Sequence, residues 1–306
     1  MQSMKEKIKH IYEVHYKKLL LFPFLLLIFA LMQIGMQYAS TGDFVQKGIS
    51  LKGGSTITLN YDESISAQSL ELELQQEFPE ADLSLRTITS TNRIVGYTLE
   101  TNLQDKEEID HFLEVLGTKV SLNEGTYGIE VIDSSLGSSF FVQTGWALII
   151  AFIFMALVVF AYFRMVVPSL SVILVAFSDI VTTLAIFNLT GSKLSTGGVA
   201  AFLMLVGYSV DTEMLLNSKA LKQPASTFMK QIYGAIGTGM TMTLTVLVAV
   251  FVAFIFVNND LVRQIMFILF IGLLVDMVNS WILNVGLLRW HLEKKHFKNT
   301  QINNQK

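Results

Sequence analysis

The chain contains no cysteine, which excludes disulfide frameworks, thiol catalysis and thiolate metal sites together. Charge is also scarce: 15% of the 306 residues are charged and 52% are hydrophobic, where a soluble protein carries about a quarter charged residues. Length alone suggests about two soluble domains, but apolar runs of roughly 18 residues or more point instead to a polytopic membrane protein. Histidine is sparse, and His10, His15, His111, His291 and His296 all lie outside the apolar runs. A proton relay inside the membrane would therefore use carboxylates, hydroxyls and water.

Six stretches can cross a hydrocarbon core, which takes roughly 20 helical residues. They are expected near 19–39, 144–163, 166–187, 197–217, 236–257 and 264–288. The first follows Lys5, Lys7, Lys9, Lys17 and Lys18, as a signal peptide would, but its 21-residue apolar run exceeds the usual core of about 7–15. It reads as a retained anchor.

The net charge of −3 hides a division along the chain. Residues 40–142 hold 17 acids and 6 bases, a balance of −11, and the remainder stands at +8. Lys and Arg gather on the cytoplasmic side of short loops. The N-terminal tail, Arg164, the loop with Lys219, Lys222 and Lys230, and the C-terminal tail with Arg289, Lys294, Lys295, Lys298 and Lys306 carry the bases; the opposite short loops offer only Lys193 and Arg263. The expected layout is a cytoplasmic tail (1–18), a first span (19–39), an extracytoplasmic domain (40–142), a five-helix bundle (143–288) and a cytoplasmic tail (289–306). The protein is then multi-pass in the cell membrane.

Within the outer segment, a β-branched run from Ser50 to Tyr61 precedes a helical stretch, Ser64 to Phe78, ended by Pro79. Alternating segments Asp82–Ser90 and Arg93–Thr101 flank Thr91-Asn92, a hairpin signal. A helix from Asp105 to Leu116, with Asp105 and Glu108 spaced as a capping box, and a strand near Tyr127–Ile132 complete the pattern. The order β-α-β-β-α-β is that of a ferredoxin-like α+β domain. Although such folds can bind RNA, a domain at −11 without a basic stripe repels phosphate, so no nucleic-acid partner is expected. Lys52-Gly53-Gly54 has no phosphate-loop context, and its glycines read as a bulge or a close backbone approach.

Ionisable groups inside a membrane cost about 2.5–3.5 kcal/mol each at a helix centre and default to function. Four acids fall in the spans: Asp179, Asp211, Glu213 and Asp276. At 1.5 Å per residue they lie about 12, 21, 24 and 18 Å below the outer boundary. Asp211 and Asp276 are thus level, and Thr238, Thr241 and Thr245, at i, i+3 and i+7, cover the same depth with Asn279 nearby. A polar seam between the fourth, fifth and sixth spans is expected, with Asp211 as the principal proton carrier. Asp179 is expected to reach interfacial water, and Glu213, about 200° around the helix from Asp211, to snorkel or face a partner. No metal site and no cofactor are indicated.

These residues resemble a known family. Gly48-Ile-Ser-Leu-Lys-Gly-Gly54 is similar to the motif that opens the external domain in the SecD/SecF family of protein-export membrane proteins. Ser178-Asp179 to Gly191 resembles the family's third-helix motif, and Val206-Gly-Tyr-Ser-Val-Asp-Thr212 the fourth-helix motif on the SecF side. Thr238-Gly-Met-Thr-Met-Thr-Leu-Thr245 and Asp276-Met-Val-Asn-Ser-Trp281 look most like the archaeal branch. The resemblance implies a non-enzymatic accessory subunit that joins SecD beside the Sec translocation channel, within an RND-type assembly, and assists export of unfolded polypeptides. It also implies that membrane acids, here Asp211 and Asp179, couple proton flow to that work. Three positions depart from the pattern: Ser50 stands for the acid of the external motif, Ser178 for a histidine, and Gly237-Thr238-Gly239 occupies the region where bacterial SecF has an arginine.

Two other classes deserve comparison. An independent RND-type exporter of small molecules or lipids normally fuses two such halves with larger outer domains. An intramembrane aspartyl protease would use two level acids, but its G-x-G-D signature is missing, since Tyr208-Ser209-Val210 precedes Asp211.

Overall fold

Runs of Leu, Ile, Val and Phe without interior charge commit most of the chain to helices, since a backbone in hydrocarbon must satisfy its own hydrogen bonds. The computed structural model describes residues 10, 12, 14–61, 66–90, 93–120, 122, 127–221, 228–257 and 259–293. Among these, six helices are long and apolar enough to cross a membrane. They contain α1 (Leu21–Thr41), α4 (Ser134–Phe163), α5 (Val166–Leu189), α6 (Thr196–Leu221), α7 (Phe228–Phe256) and α8 (Asp260–Val278), the last continuing through a π-helical stretch, Asn279–Asn284.

Local chemistry sets the helix ends. Gly42 closes α1 in the left-handed region at φ 76°, its N–H bonding the Tyr38 carbonyl at 2.8 Å. Asp133 caps α4 by accepting from the Ser135 N–H at 2.7 Å, and Asn259 caps α8 from Val262 N–H at 3.0 Å. Several helices outrun the apolar stretches that announced them. The first turns of α4 carry Ser135, Ser138 and Ser139, and α6 runs on to Leu221 through Asn217, Ser218 and Lys219. Hydropathy marks where lipid begins, whereas backbone hydrogen bonding continues past that point.

Helix α5 is the most enclosed of the six. Its small and hydroxyl residues, among them Ser171, Ala176, Ser178, Thr182, Thr183 and Ala185, are buried, so neighbours approach its backbone closely. Between α6 and α8 the same device recurs: a Cβ on Gly272 would stand 2.6 Å from the Leu205 side chain, and one on Gly198 2.7 Å from Gln264. By contrast α4 is apolar all round and exposes Trp146, Ile150, Phe154, Leu157 and Val158.

Between α1 and α4 the chain forms a four-stranded sheet: β1 (Gly54–Asn60), β2 (Ser84–Ser90), β3 (Arg93–Thr101) and β4 (Tyr127–Ile132), in spatial order β2-β3-β1-β4 with every pair antiparallel. Helices α2 (Ala67–Glu77) and α3 (Lys106–Lys119) supply Leu70, Leu74, Phe112 and Leu116 to a core with Ile57, Leu59, Tyr97 and Leu99. A register shift between Ile88 and Thr89 places a bulge near the end of β2. Asp105 does occupy the N-cap position of α3, but its side chain makes no capping hydrogen bond. The turn expected at Thr91-Asn92, the loop holding Lys222 and the tail from Lys294 lie outside the described residues.

The sheet is rooted in the bundle by backbone contacts. Gly48 N–H donates to the Leu194 carbonyl at 2.8 Å, and Leu194 N–H to Gln46 at 2.7 Å. Gly53, at φ 87°, lies so near the Ser134 backbone that a side chain would collide with it, and Gly54 abuts the Thr101 carbonyl in the same way. Beside them Leu51 is fully buried with Phe187, Leu194 and Ala201. Lys52 lies 3.9 Å from Asp82, whose other oxygen pairs with Lys193 at 2.6 Å. Ser50, where the family motif has an acid, accepts from the Thr196 N–H at 3.2 Å at the start of α6. A carboxylate there would serve the same helix terminus, which favours a negative or accepting group.

Candidate functional site

The intramembrane acids divide into two groups. The first is enclosed by α5, α6 and α8. Asp179 Oδ2 accepts from Ser209 Oγ at 2.6 Å, and its Oδ1 accepts from Asn279 Nδ2 at 2.8 Å. The same Asn279 amide reaches Ser178 Oγ at 3.1 Å, so the serine that replaces the family's histidine takes part in the network. Asp276 faces Asp179 and accepts from Ser280 Oγ at 3.2 Å. Glu213 stands beside Asp276, and all three acids are at most 1% exposed.

The backbone of α8 explains how so many polar groups converge. A π turn follows Asp276, and the wider i→i+5 winding turns Asn279, Ser280 and Asn284 inward together, each fully buried. Asn284 Nδ2 then donates to Asn217 Oδ1 at 3.3 Å, extending the polar column. Several buried oxygens still lack a hydrogen-bond partner among the described residues: both of Glu213, Oδ2 of Asp276 and Oδ1 of Asn279. The unpartnered oxygens thus belong to the neighbouring Asp276 and Glu213, whereas both oxygens of Asp179 already accept hydrogen bonds. No group of three acids or histidines there has metal-binding geometry among the described residues.

Asp211 belongs to the second group. It is exposed on α6 and its carboxylate has no partner among the described residues. Thr238, Thr241 and Thr245 are exposed on α7, where their hydroxyls donate to the carbonyls of Gly234, Gly237 and Thr241. Leu215 lies against Gly239, and Lys219 Nζ donates to Thr238 Oγ1 at 2.9 Å and to the Gly234 carbonyl at 3.3 Å. With α6 and α7 antiparallel, Asp211, one turn before Leu215, falls level with the Thr241–Thr245 turn.

This arrangement corrects the expected seam. Asp276 meets Asp179 of the third span, not Asp211 of the fourth, and the three threonines face away from it. The cause is angular: level depth does not make two side chains face each other, and successive residues turn by about 100°. Asp179 reaches no interfacial water, because Ser209 and Asn279 enclose it. Glu213 neither snorkels nor meets the surface.

Lys219, expected in the loop between the fourth and fifth spans, instead occupies the last turns of α6 on the side that meets the threonine-bearing helix. The spacing Asp211, Leu215, Lys219 carried the signal at i, i+4 and i+8, had the helix been continued past the apolar run.

Comparison with known proteins agrees with the motifs. The family described as "Protein export membrane protein SecD/SecF, C-terminal" matches residues 113–294. The protein-export membrane protein SecF of Methanolacinia petrolearia is 37% identical over 281 residues, covering 91% of this chain and 94% of that one. Its counterpart in Pyrococcus furiosus is 34% identical over 295 residues, covering 96% and 97%. Among solved structures, the translocon-associated membrane protein SecDF of Thermus thermophilus superposes with a TM-score of 0.69 over 90% of this chain, at 15% identity. A super-membrane-facing form of SecDF gives 0.55 over 92%, at 18% identity. The chain spans only 38% and 39% of those two solved chains, and at such identities the likeness is one of fold. With a family match over more than half its length and SecF relatives aligned nearly end to end, the chain belongs to the SecF family of protein-export membrane proteins.

Proposed function

We propose that this chain is an accessory subunit of Sec protein export that works with SecD as a membrane partner beside the translocation channel. The names of its relatives support that role over an independent exporter, and the presence of SecD and SecF in one solved SecDF chain supports the pairing. The carrying observation is Asp211. An exposed carboxylate amid three exposed threonines would cost about 2.5–3.5 kcal/mol against hydrocarbon, so a second membrane protein is needed to cover this face. A partner that brings a cation or a proton path to Asp211 would let the covered face take up and release protons. The buried Asp179–Asp276 pair would act as a second proton store within the chain.

In this reading both termini are cytoplasmic and the sheet domain, with its ferredoxin-like βαββαβ order, is extracytoplasmic, rooted by Lys52, Gly53 and Gly54. That domain would meet the unfolded polypeptide as it emerges, while the six helices sit in the lipid bilayer. The basic residues of the termini and of the turn at Arg164 support the orientation.

Because the chain has no cysteine, Thr241→Cys introduces a single thiol on the face in question. Membranes in which this chain is expressed with SecD should give a crosslink between the two from a short thiol-reactive reagent. Crosslinks only to a second copy of the chain, or to none at all while Trp146→Cys on α4 does capture SecD, would place the partner elsewhere.

A further inference from the structure

At the sheet end of the bundle a cleft of about 420 Å³ opens between strand β2 and the ends of α5, α7 and α8. Arg86 of β2, Lys193 of the α5–α6 loop and Arg263 of α8 all line it, with Phe254 and Phe267 forming the wall toward the membrane. The charge pattern makes this convergence unusual. Lys193, in the α5–α6 loop, and Arg263, in the first turn of α8, are the two bases of the bundle near this end, and both enter one cleft. Arg86 comes from a domain dominated by acids.

The cations are incompletely neutralised. Lys193 pairs with Asp82 at 2.6 Å, and Arg86 approaches Glu100 at 3.5 Å with its side chain still partly open. Arg263 has no carboxylate partner among the described residues, and its guanidinium lies over the Phe254 ring at 5.2 Å. Gln264 holds the floor, donating to the Lys193 carbonyl at 2.7 Å and accepting from the Ser195 N–H at 2.9 Å.

Below the cations the wall is aromatic. Phe254 stacks on Phe267 at 5.7 Å, and one turn further into the bundle Phe251 meets Phe270 at 5.4 Å. Exposed Phe251, Val252 and Ile255 continue that surface along α7. A soluble anion would use the cations and leave this apolar wall idle. A molecule with a phosphate head and hydrocarbon tails would use both, at the height where helix ends meet the bilayer surface.

We propose that this cleft binds the phosphodiester headgroup of an anionic phospholipid, with Arg263 and Arg86 contacting the phosphate and an acyl chain lying along the Phe254–Phe251 side of α7. Lys193 is held by Asp82 and sets the rim. The site is separate from the Asp211 face and does not depend on the partner reading.

The test is native mass spectrometry of the full chain released from nanodiscs of equal phosphatidylglycerol and phosphatidylcholine. The chain should retain phosphatidylglycerol preferentially. Removing one surface cation changes lipid partition by about fivefold, so Arg263→Gln and Arg86→Gln should each lower that preference by a similar factor, with unchanged melting in detergent. Lys219→Gln, at the other end of the bundle, serves as the control and should leave the preference intact. Equal retention of both lipids by the unaltered chain would overturn the proposal, as would a preference unmoved by both arginine variants. Displacement of retained lipid by millimolar sn-glycerol-1-phosphate would assign the site to soluble phosphate compounds and overturn it equally.

Discussion

Asp211 and Glu213, two residues apart on one helix, stand on opposite sides of it: Glu213 is fully buried against Asp276, and Asp211 is exposed. One α-helical turn therefore serves two environments, a sealed carboxyl cluster inside this chain and an open carboxylate on its surface. The two acids should respond differently to the same substitution.

For Asp211 the expected result of Asp211→Asn is loss of function without loss of structure. The amide keeps the shape and a hydrogen-bonding group but cannot take up a proton. Export of a Sec-dependent substrate should fall several-fold, while the chain melts at the same temperature and still copurifies with SecD. Wild-type export in that variant would make Asp211 a structural residue.

Asn279 ties α8 to α5 through Asp179 and Ser178. In Asn279→Ala the buried Asp179 loses a donor it cannot replace from water, at a cost of about 1–2 kcal/mol. A lower melting temperature in detergent micelles is expected. The variant Asp179→Asn should lose less, since its amide oxygen still accepts from Ser209 and its Nδ2 can donate to the partnerless Asn279 Oδ1 once that amide turns over. If both variants melt like the unaltered chain, the network carries no stability.

Gly239 is where α7 packs on the π-helical part of the last span. An added Cβ would stand 2.5 and 2.7 Å from the Trp281 ring, so Gly239→Val has to push that ring aside. Overpacking of this kind costs about 1–3 kcal/mol. Gly237, two residues earlier, meets nothing within 4 Å. Gly237→Ala should leave the isolated chain as stable as before or slightly more so, and comparative melting of the two variants distinguishes local crowding from a general effect of glycine loss.

The junction between sheet and bundle has a pH dependence of defined sign. The Ser135 hydroxyl and then its N–H hold the Asp133 carboxyl below the usual carboxylate range. The stabilisation of the first turn of α4 is thus fully present above the ordinary Asp range and disappears as pH falls through the depressed value. Asp133→Ala should speed exchange of the Ser135 amide at neutral pH, after correction for intrinsic rates. The difference from the unaltered chain should vanish at strongly acidic pH; an equal difference at both extremes would contradict the capping role.

Much of this architecture was legible in the residues. Six apolar runs marked the six helices because hydrocarbon demands internally satisfied backbone, a constraint that leaves a strong linear signal. Alternation in Arg93–Thr101 marked β3 for the same kind of reason, since one sheet face is buried against Leu74 and Phe112. The start of α4 at Ser134 was not legible, because polar helical turns above a membrane look like loop to a hydropathy scale.

By itself the sequence determined the family, through motifs in order along the chain, and it determined which acids lie within the long apolar helices. Which of those acids meet was decided only by the tertiary structure. Depth along a helix follows from counting residues, but facing depends on how α5, α6 and α8 rotate and pack, and on a π turn after Asp276 that no residue pattern announced. The close packing of Gly272 on Leu205 and the enclosure of α5 brought Asp179, Asp276 and Glu213 together. They left Asp211 outside, exposed on α6.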